Sequence, residues 1–287
     1  MSSPEILNSC GAFLSNYRAI ICDIWGVLHD GITAYDGANA ALSHYREKGG
    51  RVVLLSNSPQ VSWQIETLLK TKNVSPSVYD SIVTSGDITI RVLNEMHVKK
   101  VFHIGPGRHD PIYDDQPYIR TALDEAEAIV CTGYYNDDFS DMAVYMPIFE
   151  QALARKLPFV CANPDLVVDV GGVLYPCAGT LAQEYEQKGG VVHWAGKPHQ
   201  LAFQMARDEL DRVFNAQFSE KDILVIGDTL RTDIAGAAAM KFDALFIAQG
   251  IHREEISSHD KIDAKKLETL YRSAGFSARA AAFGLQP

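Results

Sequence analysis

Short apolar runs alternate with amphipathic stretches along most of this chain. The run Ile20-Ile21-Cys22 ends at Asp23, and Gly26 follows three residues later. That pattern predicts a buried strand that delivers Asp23 to the carboxyl edge of a sheet, where a tight turn exposes it. A helical pattern over about 37–48 closes at Gly49-Gly50. Residues 51–55 then read as a strand ending in Ser56-Asn57-Ser58, and a second helix is predicted over 61–72. Further on, 222–226 reads as a strand that stops at Gly227-Asp228. A helix of small residues over 232–240 and a strand over 242–247 follow. Such alternation implies right-handed crossovers and a parallel sheet covered by helices.

The middle repeats this grammar with different content. Residues 101–104, 128–131 and 158–162 read as short strands, and a helix is predicted over 141–155. The polar strand ends lie on both sides of this segment and outside it. The expected fold class is therefore α/β: a Rossmann-like doubly wound parallel sheet core, 1–85 and 190–287, with an inserted α/β cap domain, 86–189. The tail 274–287 is small and apolar, and no role is assigned to it.

Composition narrows the function classes. The chain has 287 residues, 47% hydrophobic and 22% charged, with a formal net charge of -10. A soluble globular protein is expected, and no general binding to nucleic acid or to anionic membranes. Five scattered cysteines without a Cys-x-x-Cys pair fit a reducing, cytoplasmic setting. No secretory leader is apparent, and no apolar stretch approaches membrane-spanning length.

Four polar strand ends carry the candidate chemistry. They are Asp23, Ser56-Asn57, Gly196-Lys197-Pro198 after the strand-like 191–194, and Gly227-Asp228 with Asp233 five residues on. In a doubly wound sheet these ends can meet in one crevice. Together they offer carboxylates, a hydroxyl, backbone donors and one cation. Phosphoryl transfer uses those parts for charge neutralisation, positioning and a Mg²⁺ clamp.

The order Asp-x-x-Gly-Val-Leu, Ser-Asn, Gly-Lys-Pro, Gly-Asp-x-x-x-x-Asp resembles the four motifs of the haloacid dehalogenase-like superfamily. Gly-Asp-x-Leu-Arg-Thr-Asp-Ile is similar to the class IIA branch, which holds p-nitrophenyl phosphatase-like and pyridoxal phosphate phosphatase enzymes. Cys161-Ala162-Asn163-Pro164-Asp165 and Tyr175-Pro176-Cys177-Ala178-Gly179-Thr180-Leu181 resemble segments of that branch's cap. The likeness spans about 19–250. It implies a cap of the C2 type and a Mg²⁺-dependent phosphatase-like hydrolase acting on a small phosphorylated metabolite. It also leaves open homo-oligomerisation through the cap. Carried over residue by residue, Asp23 would be the nucleophile, forming an aspartyl-phosphate. Asp23, the main-chain carbonyl of Trp25 and Asp228 would hold Mg²⁺, and Asp233 would orient the metal shell. Ser56, the Asn57 amide and Lys197 would hold the phosphoryl group, with Lys197 offsetting the negative charge.

Trp25 departs from that pattern. The superfamily's phosphatases carry there an Asp that protonates the leaving oxygen and later activates water. An indole N–H donates a hydrogen bond but does not exchange protons near neutral pH. Three accounts follow: a substitute acid, with His29 and Asp30 just downstream; a substrate whose leaving group needs little protonation; or a phosphate-binding protein without useful turnover. A haloacid dehalogenase is the remaining alternative, and it is disfavoured because those enzymes need no Mg²⁺ and lack Gly-Asp-x-x-x-x-Asp. Plainer readings stand beside these. His29 reads first as a turn residue, and His193 and His199 as surface or packing residues. Asp114-Asp115 and Asp137-Asp138 read as solvated loops.

Overall fold

A computed structural model describes residues 4–135, 141–170, 173–258 and 260–287. Asp137-Asp138 lie outside the described residues. The chain divides into two compact units. The first comprises Met1–Ser56, Ile65–Val83 and Ala202–Pro287; the second comprises Asn57–Gln64 and Thr84–Leu201.

The first unit is built on a seven-stranded sheet. Its central strand Ala19–Cys22 lies between Arg51–Ser56 and Ile223–Gly227, parallel to both. Asp243–Ile247 extends the sheet beyond Ile223–Gly227, and Ser81–Thr84 extends it beyond Arg51–Ser56. Every residue of Ala19–Cys22 and of Ile223–Gly227 is buried, as expected for parallel strands covered on both faces. The helix Asp36–Glu47 buries Ala38, Ala41, Leu42 and Tyr45, a stripe at three- and four-residue spacing. These side chains join Ile20, Cys22, Val52 and Leu54 in one apolar core.

Three strands of this sheet, Glu5–Leu7, Ser81–Thr84 and Ala280–Ala282, escape the hydrophobic pattern. Ala280–Ala282 pairs in parallel with Leu245–Ile247 on one side and with Glu5–Leu7 on the other. The tail without an assigned role is thus an inner strand of the sheet. Alanine has low β propensity, so only burial between neighbours makes this segment extended. The predicted helix start at Thr232 is also revised. A π-type turn occupies Leu230–Ile234, and the α-helix begins at Ala235.

The second unit carries five parallel strands, Val192–Trp194, Phe159–Cys161, Ala128–Cys131, Lys100–Ile104 and Ile119–Arg120 in spatial order. Phe149, Phe159, Tyr145 and Tyr185 fill its core. Val192–Trp194 pairs with Phe159–Cys161, with Val192 opposite Phe159. The boundary expected at 190 is therefore corrected: this strand belongs to the second sheet, and the unit runs to Leu201. The helix Ala178–Gln187 links the two strands as a local crossover, which keeps them in one sheet.

Candidate active site

The first sheet reverses its strand order at one point. From Ala19–Cys22 the chain proceeds outward through Arg51–Ser56 and Ser81–Thr84, whereas Ile223–Gly227 and Asp243–Ile247 lie on the other side. Ligands of doubly wound sheets bind outside the carboxyl ends of the strands at such a point. Cys22 lies opposite Ile226, and the Asp23 N–H donates to the Ile226 carbonyl at 2.8 Å. Asp23 and Asp228 therefore emerge side by side from neighbouring strands.

Asp233 joins them from the π-type turn. One carboxylate oxygen from each of Asp23, Asp228 and Asp233 lies within 4.8 Å of the other two. All three side chains are nearly or fully removed from water, Asp233 being only 1% exposed. Three like charges at that spacing in a dry site call for a cation. A hard divalent ion such as Mg²⁺ suits an all-carboxylate set completed by water.

The donors around these carboxylates fix their aim. The Thr229 hydroxyl donates to Asp228 Oδ1 at 2.9 Å, and the Ile251 N–H donates to Asp228 Oδ2 at 2.9 Å. The Thr229 N–H donates to Asp233 Oδ2 at 3.2 Å. Gly26, with φ at +79°, and Gly250 both press against the Asp228 carboxylate, where a Cβ at either position would collide with it. Thr229 stood in plain view inside the fourth motif. The Ile251 N–H carries no sequence signal, because any residue supplies it.

Ser56 is the last residue of Arg51–Ser56 and is nearly buried. Asn57, which follows it, and Lys197 meet within the second unit. The Lys197 N–H donates to Asn57 Oδ1 at 2.8 Å, and Asn57 Nδ2 donates to the Lys197 carbonyl at 3.1 Å. Asn57 Nδ2 also donates to Asp165 Oδ1 at 3.0 Å. The Asn57 side chain thus clamps the main chain of Lys197, a role the sequence reading did not assign. Asp165, noted only as part of the Asn163-Pro164-Asp165 resemblance, is the carboxylate that orients this clamp.

The segment after Trp25 folds back on it. The Trp25 and His29 rings meet edge to face with centroids 5.1 Å apart. The Gly26 N–H donates to the His29 carbonyl at 2.8 Å, and the Gly31 N–H donates to His29 Nδ1 at 2.9 Å. Nδ1 is thus an acceptor, which leaves the proton on Nε2. Nε2 is buried and has no hydrogen-bond partner among the described residues. Burial first, and the Lys72 charge second, pull the His29 pKa down to about 4, while Asp30 acts weakly in the opposite direction. A neutral, enclosed imidazole is no proton donor at neutral pH. His29 is a buried turn residue with a depressed pKa, an arrangement that disfavours it as a substitute acid. Asp30 is likewise engaged. Slight burial raises its carboxyl, but the N–H groups of Thr33 and Ile32 outweigh that and hold it below the ordinary value.

Two family models match the chain: haloacid dehalogenase-like hydrolase over residues 20–115, and a HAD-hydrolase-like model over 194–270. The crystal structure of a hydrolase of the haloacid dehalogenase-like family from Brucella suis 1330 is 35% identical, with a TM-score of 0.84. That match covers 98% of this chain and 99% of the other. The chain belongs to the haloacid dehalogenase-like hydrolases. Among curated members, the ribonucleotide monophosphatase NagD of Escherichia coli is 29% identical over 86% of this chain and 92% of its own length. The p-nitrophenyl phosphatase from Archaeoglobus fulgidus shares the fold at 19% identity, with a TM-score of 0.72 over 94% of this chain and 97% of its own. In this haloacid dehalogenase-like hydrolase the carboxylate cluster occupies the switch point of the sheet, the place where such a fold puts its ligand.

Proposed function

We propose that this chain is a phosphoric monoester hydrolase that acts on a small phosphorylated metabolite and works with Mg²⁺. The observation that carries the reading is the close set of Asp23, Asp228 and Asp233 at the switch point. The named relatives that hydrolyse phosphate esters support it. Mg²⁺ would be held by Asp23, Asp228 and the Trp25 carbonyl, with Asp233 steadying the arrangement; when bound, it would neutralise phosphate charge.

The reaction runs on this chain's own groups. A carboxylate oxygen of Asp23 attacks phosphorus while the ester P–O bond breaks and the leaving oxygen takes the electron pair. Water then attacks phosphorus while the Asp23–phosphorus bond breaks, which releases inorganic phosphate and restores Asp23; one proton of that water stays on the phosphate and the other passes through solvent to the departed oxygen. Ser56 and the main-chain N–H of Asn57 bind the phosphoryl oxygens, because the Asn57 side chain already serves Lys197. The Lys197 ammonium supplies the countercharge, and the Asn57–Asp165 pair positions its main chain. Five buried cysteines, all present as thiols, fit a reducing cytoplasm.

A second reading, phospho-ligand binding with little turnover, is favoured by one observation. Position 25 carries an indole, and the two candidate substitute acids, His29 and Asp30, are both committed to backbone contacts. Turnover of p-nitrophenyl phosphate separates the readings. The wild type should hydrolyse it in the presence of Mg²⁺, Asp23→Asn should fall to background, and Lys197→Ala should bind phosphate analogues more weakly. Near-normal turnover by purified Asp23→Asn would remove the nucleophile assignment. Absence of turnover in the wild type, with phosphate analogues still bound, would favour the binding protein.

A further inference from the structure

We propose that the first unit carries a second ligand site, at the edge of its sheet opposite the carboxylates, for a small organic phosphate with a flat ring. A cavity of about 370 Å³ opens there. Tyr17-Arg18 and Gly49-Gly50 in its wall immediately precede the strands Ala19–Cys22 and Arg51–Ser56. The cavity therefore lies at the amino ends of the strands whose carboxyl ends present Asp23 and Ser56. Its volume falls within the range of small-molecule pockets.

The wall is basic where the chain is acidic. Arg18, Lys48 and Arg51 line it with His44, and among the described residues no aspartate or glutamate side chain does, although acidic residues outnumber basic ones by 36 to 26 in the sequence. The two guanidinium groups are held in place. Arg51 lies over the Phe214 ring at 4.4 Å and Arg18 over the Phe218 ring at 5.2 Å. A planar fork pinned on a ring loses little further freedom when it grips a phosphate or carboxylate. The tyrosines contribute apolar ring surface, because both hydroxyls are committed elsewhere. Tyr17 donates to Asp243 at 2.8 Å, and Tyr45 donates to the Tyr17 carbonyl at 3.0 Å.

Opposing terms are smaller. Asp222 lies 3.5 Å from Arg18 and Glu47 lies 3.6 Å from His44, both at largely exposed partners where such pairs are weak. The helix Asp36–Glu47 ends at the cavity, and its carbonyl end is worth roughly half a negative charge against three cations. Pro287 stands at the rim, and its main-chain oxygen accepts from the Ser9 hydroxyl. Exposed Arg18 and Lys48 mark the mouth, while half-buried Arg51 and Phe214 lie deeper. This gradient suits a phosphate at the mouth and a flat ring against the aromatic wall. A nucleoside monophosphate has that chemistry.

The test uses AMP with the full chain and reads hydrogen exchange by segment, so the two edges of the sheet are told apart. AMP should protect 41–51 and 211–218, and the protection should fade with added salt. Lys48→Glu, an exposed position, should weaken this binding by at least roughly tenfold, the scale of one lost charge-assisted contact, without changing basal p-nitrophenyl phosphate turnover. Arg51→Lys keeps the charge, loses the fork and should weaken it less. Protection confined to segments around Asp23 and Asp228 would overturn the proposal, as would equal affinity in Lys48→Glu. If inorganic phosphate protected 41–51 and 211–218 with the affinity of AMP, the ring would have no part in the site and the ligand class would be wrong.

Discussion

Neutralising Asp228 tests the carboxylate cluster without any substrate. The oxygens of Asp23, Asp228 and Asp233 lie within 4.8 Å of one another. At that separation, with an effective dielectric constant near 20, two unit charges repel by about 3.5 kcal/mol. Asp228 takes part in two such pairs, so Asp228→Asn relieves up to about 7 kcal/mol in the metal-free protein. The substitution also weakens two charge-assisted bonds, from the Thr229 hydroxyl and the Ile251 N–H. Such bonds are worth roughly 1.5–3 kcal/mol each. Further partners of Asp228 offset part of that relief, so metal-free Asp228→Asn should be more stable than metal-free wild type by at most about 4 kcal/mol. The response to Mg²⁺ should go the other way. An ion that binds only the native state adds about 2.7 kcal/mol at a hundredfold excess over its Kd. For a chain of this size that raises Tm by roughly 4–5 °C. The variant should lose most of this rise. Calorimetry in EDTA and in excess MgCl₂ measures both effects. If the wild type ignores MgCl₂, or the variant responds as fully as wild type, the cluster is not a metal site. If the metal-free variant is the less stable protein, the repulsion has been overstated.

Two further outcomes follow from the segment after Trp25. The His29 pKa of about 4 lies below its ordinary value of 6.5, so the unfolded chain takes up the proton first as pH falls. Its contribution to stability is complete above pH 6.5 and is lost progressively toward pH 4, amounting to about 2 kcal/mol by about pH 5. Urea unfolding of wild type and His29→Asn at neutral and mildly acidic pH should show a shallower decline in the variant; parallel declines would mean that His29 is not the titrating group. With Trp25 in place of a proton donor, aryl phosphates should turn over roughly 10²- to 10⁴-fold faster than alkyl phosphates. Equal rates, with chemistry shown to limit both, would require an acid other than His29 or Asp30.

The sequence by itself determined the strands that end in carboxylates. Runs such as Ile20-Ile21-Cys22 and 223–226 are buried on both faces, so their apolar content is continuous and their polar ends are conspicuous. Asp23 and Asp228 were legible for that reason, Asp233 from the resemblance of its motif, and the Asp36–Glu47 helix from its spacing. Tertiary structure alone decided the rest. Ala280–Ala282 is a strand only because neighbours on both sides supply its ladder, a contact that three alanines do not encode. Val192–Trp194 joined the second sheet by pairing with Phe159–Cys161, a choice between two available sheet edges that its own pattern does not express. Asn57 became a clamp on Lys197 through bonds spanning 140 positions of the chain. The chemistry of His29 was set by burial and by a Gly31 N–H rather than by its type. Local patterns record which residues must leave water, whereas partners distant in sequence exist only once the chain has packed.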